Sequence, residues 1–300
     1  MSDTPRKSTF SIVAADLETG EVGCAVQSKY FSVGSVVPWA WAGVGAVATQ
    51  AAGVAVYGRL ALEELQRGAT PEAALETVLA DDPGRETRQL GIVTADGRAA
   101  AFTGQECLNW AGQRVGPGFA VQGNILAGEA VVDEMAHAYT KTIGTLVERL
   151  VAALEAGQAA GGDKRGQQSA ALIVERAGGR AESREGIDRI CDLRVEDHAQ
   201  PIVELRRLIG IWTDWDAQRR AHVHYERGDA GAAADLLRSA VTEKDTPMLL
   251  YNLACYEALA GRSADALVHL RRAVELDGSY RALAAEDPDF DPIRSELSEL

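Results

Sequence analysis

Thr9-Phe10-Ser11-Ile12-Val13-Ala14-Ala15-Asp16-Leu17-Glu18-Thr19-Gly20-Glu21-Val22-Gly23-Cys24-Ala25-Val26-Gln27 reads as a strand, a turn and a returning strand. Asp16, Thr19 and Gly20 supply the turn chemistry. Val22, Cys24 and Val26 alternate along the return, which gives that strand one apolar face. The chain therefore opens on a hairpin, not on the strand–helix–strand unit of a doubly wound fold.

Outward from this hairpin, further strands are expected near residues 35–37 and 44–49, punctuated by Pro38-Trp39. Leu60, Leu62 and Leu65, then Ala73, Leu75, Val78 and Leu79, carry a helical period and predict two helices separated at Gly68. Thr70 is placed as the N-cap of the second, with Pro71 at its first position. Residues 90–93 and 99–102 flank Asp96-Gly97, a hairpin signal. Residues 109–115 and 119–122 add strands, residues 131–156 a helix interrupted near Gly144, residues 161–166 a loop, and residues 169–174 a final strand. Runs of strands followed by runs of helices predict α+β layered packing.

After about Pro201 the strand pattern ends, and the remainder is helical and repetitive. Gly228 and Gly261, Ala233 and Ala266, Leu237 and Leu270, and Ala240 and Ala273 are each separated by 33 residues. Such a period predicts stacked helix pairs that bury their apolar faces on one another. The second copy, with Leu250, Leu253 and Ala254 in its first helix and Ala266, Leu270 and Ala273 in its second, resembles a tetratricopeptide repeat. The first copy, about residues 217–245, is a weaker match, and residues 289–300 are expected to form a polar capping helix. The predicted organisation is an N-terminal extension (1–8), an α+β domain (9–210) and a small all-α domain (211–300).

The chain has 300 residues, with 30 Lys+Arg against 44 Asp+Glu, a formal net charge of −14. That charge opposes nucleic-acid binding. The polar N-terminus lacks a signal-peptide core. Cys24, Cys107, Cys191 and Cys255 are too dispersed for a zinc site and read as reduced thiols, which places the protein in the cytoplasm. The uncharged stretch between Lys29 and Arg59 is long enough to span a bilayer, but Gly34, Pro38, Gly43, Gly45 and Gly53 interrupt it. Buried strands running into a helix are expected instead, with no membrane association.

Gly43-Val44-Gly45-Ala46-Val47-Ala48 matches the GxGxxA dinucleotide pattern, but the preceding hairpin is the wrong context. His137, His198, His222, His224 and His269 form no HExxH or HxxxH motif, and no nucleophile elbow or phosphate loop occurs. No metal or cofactor is expected. Asp163, Lys164 and Arg165, in a Gly-rich loop, are candidates to bind an anionic group, or are parts of a solvated turn. Asn124, after Gln122-Gly123, is either an oxyanion donor or a turn-forming residue. Thr9 is by composition a strand former. With its α-amine free, the amine (ordinary pKa near ~8) takes the proton from the neighbouring hydroxyl, so one residue serves as both nucleophile and base.

Thr9 to Ala14, Gly23 to Gln27, Val33 to Ala40, Ala42 to Gln50, Asp82 to Arg85, Arg88 to Gly91, Trp110 to Gly112, Gln122 to Leu126, Leu154 to Gln168 and Asp192 to Val195 resemble the domain-of-unknown-function family 1028. The resemblance covers about residues 9–208. It implies the N-terminal-nucleophile (Ntn) hydrolase superfamily, a four-layer αββα sandwich and amide hydrolysis by an exposed N-terminal Thr, Ser or Cys. On this basis Thr9 is the expected nucleophile. Thr49 and Gln50 are candidates to supply oxyanion-binding amides with Asn124, and Lys29 to lower the amine pKa or bind a substrate carboxylate. Gln27 and Ser28 are the expected polar neighbours of the nucleophile. The substrate would be a small or peptide-like amide, and association through apolar faces would give a homodimer. Eight residues precede Thr9, so this chemistry requires cleavage between Ser8 and Thr9. The alternative is a non-catalytic ligand-binding or assembly protein whose tetratricopeptide-like tail grips a partner peptide.

Overall fold

The structure is a computed structural model that describes residues 9–179, 187–241 and 246–299. The described residues form two units, residues 9–179 with 187–209, and residues 210–241 with 246–299.

The first unit contains β1 (Thr9–Asp16), β2 (Glu21–Ser28), β3 (Pro38–Trp41), β4 (Gly45–Ala51), α1 (Val56–Gln66), α2 (Pro71–Leu79), β5 (Arg88–Thr94), β6 (Ala99–Thr103), β7 (Gly112–Gly116) and β8 (Phe119–Asn124). It continues through α3 (Ala130–Lys141), α4 (Leu146–Ala159), β9 (Ser169–Arg176) and β10 (Arg189–Val195). Six strands pair in the order β10-β9-β2-β1-β8-β7 and four in the order β3-β4-β5-β6. All of these pairings are antiparallel.

Alternation along the strands sorts side chains between two apolar layers. Val13, Val22, Cys24 and Val26 of the larger sheet pack with Ala46, Ala48 and Val93 of the smaller. On the outer face of the smaller sheet, Val47, Leu90 and Ile92 meet Leu62, Leu65, Leu75 and Leu79 of α1 and α2. Helix α4 lies against β1 and β2. A Cβ at Gly23 would sit 2.7 Å from the Ile173 carbonyl and 3.0 Å from Leu150 Cδ1, so glycine permits this close approach. Full burial of a side chain such as Leu62 or Leu150 contributes about 1.5–3 kcal/mol relative to exposure. Thr70 caps α2 by accepting from the Ala73 amide, with Pro71 at the helix start, as the sequence predicts.

Several local expectations are corrected. The strand expected near residues 35–37 is replaced by a 3-10 turn at residues 33–35, followed by a turn and a bend at residues 36 and 37. Pro38 instead opens β3, an edge strand, where its missing N–H costs no ladder bond. The interruption expected near Gly144 is present: α3 ends and α4 begins on either side of it, with Gly144 at φ +141°. The final strand has a partner, β10, whose mixed polar pattern hides it from periodicity. Gly43 and Gly45 lie at the β3–β4 antiparallel connection, which removes the parallel context a dinucleotide fingerprint needs.

Helix α5 (Pro201–Glu226) runs through the division at residue 209/210. The second unit continues with α6 (Ala230–Ala240), α7 (Pro247–Leu259), α8 (Ser263–Leu276), α9 (Ser279–Glu286) and a 3-10 segment, Pro288–Glu299. The 33-residue offset holds in three dimensions. Gly228 and Gly261 take φ of +78° and +75°, where glycine carries no Cβ penalty. The Gly228 amide donates to Tyr225 and the Gly261 amide to Ala258. The Asp229 amide donates to His224 and the Arg262 amide to Glu257. Ala233, Leu237, Ala266 and Leu270 are fully buried in one cluster. Phe290 and Ile293 are fully buried there too, so the last segment is a core element and not a polar cap.

Candidate functional site

The β-register builds a row of small polar side chains across the larger sheet. Asn124 pairs with Thr9, Thr9 with Ser28, and Ser28 with Ser169. All four are buried. Thr9 Oγ1 lies 3.1 Å from Ser28 Oγ. One step along the strands, Ser11 pairs with Gln122. On the facing sheet Gln50 pairs with Gln89, and Gln89 with Thr103.

These groups join into one network across the two sheets. Ser11 Oγ donates to Gln50 Oε1 at 2.6 Å and accepts from Gln122 Nε2 at 2.6 Å. Gln89 Oε1 accepts from both Gln50 Nε2 and Asn124 Nδ2, each at 2.9 Å. Gln89 Nε2 in turn donates to the Gly123 carbonyl and Thr103 Oγ1. Gln50 Nε2 also reaches the Thr9 carbonyl at 3.4 Å. Gly91 makes room for this: a Cβ there would lie 2.0 Å from Gln122 Oε1. A buried network of this kind holds its members in defined rotamers, although Gln122 Oε1 within it has no hydrogen-bond partner among the described residues.

The expected site residues separate into three groups. Thr9, Ser28, Gln50 and Asn124 are brought together. Thr49 sits one position from Gln50, but its N–H donates to the Val37 carbonyl and its hydroxyl to the Val54 carbonyl. Lys29 is exposed, and its ammonium donates to the Gln167 carbonyl. Asp163 is a buried anchor: its carboxylate accepts from the Lys29 and Arg165 amides at 2.9 and 2.8 Å and pairs with the Arg165 guanidinium. Lys164 and Arg165 are exposed beside it.

Gln27 departs from expectation. Pleating turns it away from its neighbour Ser28, onto the face of β2 shared with Gly23, where α4 packs. Its carboxamide is fully buried with neither polar atom hydrogen-bonded. Sequence reasoning missed Ser11, Gln89 and Gln122. The available signal was a polar residue at an inward position of an otherwise apolar strand.

Beside Asn124 lies a cavity of about 80 Å³. Ala51 and Asn124 form its buried inner wall, while Ala52, Glu106 and Leu108 are exposed at its mouth. Ala51 and Ile125, both lining it, hold φ of +65° and +53°, a region that costs non-glycine residues energy and that clusters at functional sites. Arg88 organises the wall: its guanidinium donates to the Ala52 carbonyl and to Asp82, and its own carbonyl accepts from Cys107 Sγ. Burial pushes the Cys107 thiol up to about 11, so it is neutral near pH 7.

In the second unit Cys255, Asp287 and Asp289 offer ligand atoms within 4.8 Å of one another. Tyr251 donates to Asp287 at 2.7 Å and Tyr225 to Asp289 at 3.0 Å. No helix among the described residues is long and apolar enough to cross a membrane.

Two facing antiparallel sheets with flanking helices, and a buried polar row between them, define a mixed α/β protein with a candidate site at one sheet end. The chain belongs to a family of unknown function, DUF1028, whose model matches residues 9–205. It is similar to the crystal structure of a Silicibacter pomeroyi protein of the same family, with 32% identity and a TM-score of 0.63, over 70% of this chain and 94% of that one. No curated protein matches the chain.

Proposed function

We propose that the first unit is an Ntn-type amidohydrolase acting on a small or peptide-like amide, with the facing sheets and their outer helices as the αββα sandwich of that superfamily. The observation that carries this reading is the position of Thr9. It begins β1 and lies in a row with Ser28 and with Asn124, which lines a cavity, at the place where cleavage of one peptide bond would expose an amine next to its hydroxyl.

Once that amine is free it takes the Thr9 hydroxyl proton as Oγ1 attacks the substrate carbonyl carbon. Asn124 is the side-chain donor for the developing oxyanion, oriented by Gln89. The amine then protonates the leaving nitrogen, leaving an ester on Thr9. Water, losing a proton to the same amine, hydrolyses that ester and restores the hydroxyl. Ser28 orients Oγ1 before attack.

The test is a chain whose first residue is Thr9, released from a cleavable N-terminal fusion and screened on small amides. Hydrolysis that is lost in Thr9→Ala supports the mechanism. Hydrolysis unchanged in Thr9→Ala overturns it.

The second reading, a binding or assembly protein, is favoured by the second unit. Its helix pairs repeat with the same turn hydrogen bonds at a 33-residue offset, in the manner of tetratricopeptide repeats that hold peptides on a concave face. Partner capture lost on deletion of residues 212–300, with solubility retained, supports it.

A further inference from the structure

We infer that the cavity beside Asn124 receives the acyl side chain of the substrate amide and confines it to a short, neutral group of about three non-hydrogen atoms, a size scaled from the benzene-binding cavity of 150 Å³. This inference rests on the hydrolase reading.

Direction comes from Asn124. It belongs both to the polar row containing Thr9 and to the cavity wall. A carbonyl oxygen facing the Asn124 amide places its own carbon next to Thr9 Oγ1. The group one bond from that carbon then lies nearest the cavity. The leaving amine must instead approach the Thr9 nitrogen that protonates it, so the acyl side is the one that fills the cavity.

Size comes from volume. The cavity holds about 80 Å³. A dry cavity of about 150 Å³ takes benzene, with six carbons, so roughly half that volume accommodates about three heavy atoms. Acetyl and propionyl groups fit within it, whereas hexanoyl and phenylacetyl groups extend past its exposed mouth at Ala52, Glu106 and Leu108. Left-handed backbone at Ala51 and Ile125 and the Arg88 bridge to the Ala52 carbonyl hold the walls in place.

Polarity comes from the lining. Ala51, Ala52, Leu108 and Ile125 present apolar surface, and Cys107 contributes an uncharged thiol. Glu106 at the mouth disfavours a carboxylate there, as does the net charge of −14.

The experiment has one arm that needs no catalysis. Cys107 lines the cavity, whereas Cys24, Cys191 and Cys255 are buried. N-methylpropionamide is expected to slow Cys107 modification by methyl methanethiosulfonate at least threefold in the full chain, read by peptide mass. N-methylhexanamide is expected to leave the rate unchanged, and Ala52→Leu to abolish protection. In the second arm, the Thr9-first chain should cleave acetyl and propionyl p-nitroanilides at least tenfold faster than the hexanoyl compound. Leu108→Ala should narrow that ratio. Absence of protection, or equal protection by both amides, overturns the cavity assignment. Hydrolysis with a flat or reversed chain-length profile also overturns it and leaves the hydrolase reading standing. Selective protection without hydrolysis of any anilide overturns the hydrolase reading, and the inferred role with it, leaving a cavity that prefers short amides.

Discussion

Thr9 and Ser28 face one another across the β1–β2 register with their hydroxyl oxygens 3.1 Å apart. In the Thr9-first chain, Thr9→Ala is expected to lower kcat by about 10³-fold or more, the scale on which loss of a nucleophile acts. Thr9→Ser retains measurable turnover. Ser28→Ala, which removes an orienting group, lowers kcat about tenfold with little change in KM, and steady-state kinetics on one responsive amide checks all three.

Gln89 is the hub of the buried network. Gln89→Leu deprives Gln50 and Asn124 of a shared acceptor. An orphaned buried donor costs about 1–3 kcal/mol. Urea denaturation should show a loss of that order. Gly91→Ala should show a similar loss, because the new Cβ meets the Gln122 carboxamide.

These two residues also show what the sequence could and could not reveal. Val22, Cys24 and Val26 announce their common face because strand alternation is local, and Thr70-Pro71 announces a helix start for the same reason. The 33-residue spacing of Gly228 and Gly261 survives because each turn is closed by its own neighbours. Gln89 and Gln122 stand on strands brought together only by tertiary packing, so their meeting had no local signature. The resemblance places both Gln27 and Ser28 beside the nucleophile, yet adjacent strand residues point to opposite faces. Phe290 and Ile293 were hidden by the acidic residues around them.

Acid should weaken the first unit partly through Asp82. The Arg88 guanidinium, with help from the Gly84 amide and Tyr57, holds its carboxyl well below the usual carboxylate range. A depressed folded pKa contributes stability above the unfolded value, near ~3.9, that is lost as pH falls toward the folded one. Asp82→Asn should be less stable at pH 7 and should lose less stability between pH 5 and 2. Denaturation midpoints across that range test this.

Asp289 has the opposite sign. Burial, then the neighbouring Asp287 charge, raises its carboxyl despite the Tyr225 hydrogen bond. A raised folded pKa gives stability that is present below the unfolded value and lost as pH rises through the folded one. Asp289→Asn should flatten the pH dependence of thermal unfolding of the helical unit above pH 4. An unchanged slope contradicts this.

Leu237 and Leu270 occupy equivalent, fully buried places in successive helix pairs. Leu→Ala at either is expected to cost about 2–5 kcal/mol. Guanidinium denaturation followed by helical circular dichroism should give similar losses for the two. A negligible effect at one alone would contradict their equivalence.

The most direct measurement on the central claim is the intact mass of the purified chain under denaturing conditions after prolonged incubation at neutral pH. The account predicts a species beginning at Thr9, with amide hydrolysis appearing in step with it. A chain that keeps the residues before Thr9 throughout, yet hydrolyses the responsive amide, would contradict Thr9 as an N-terminal nucleophile.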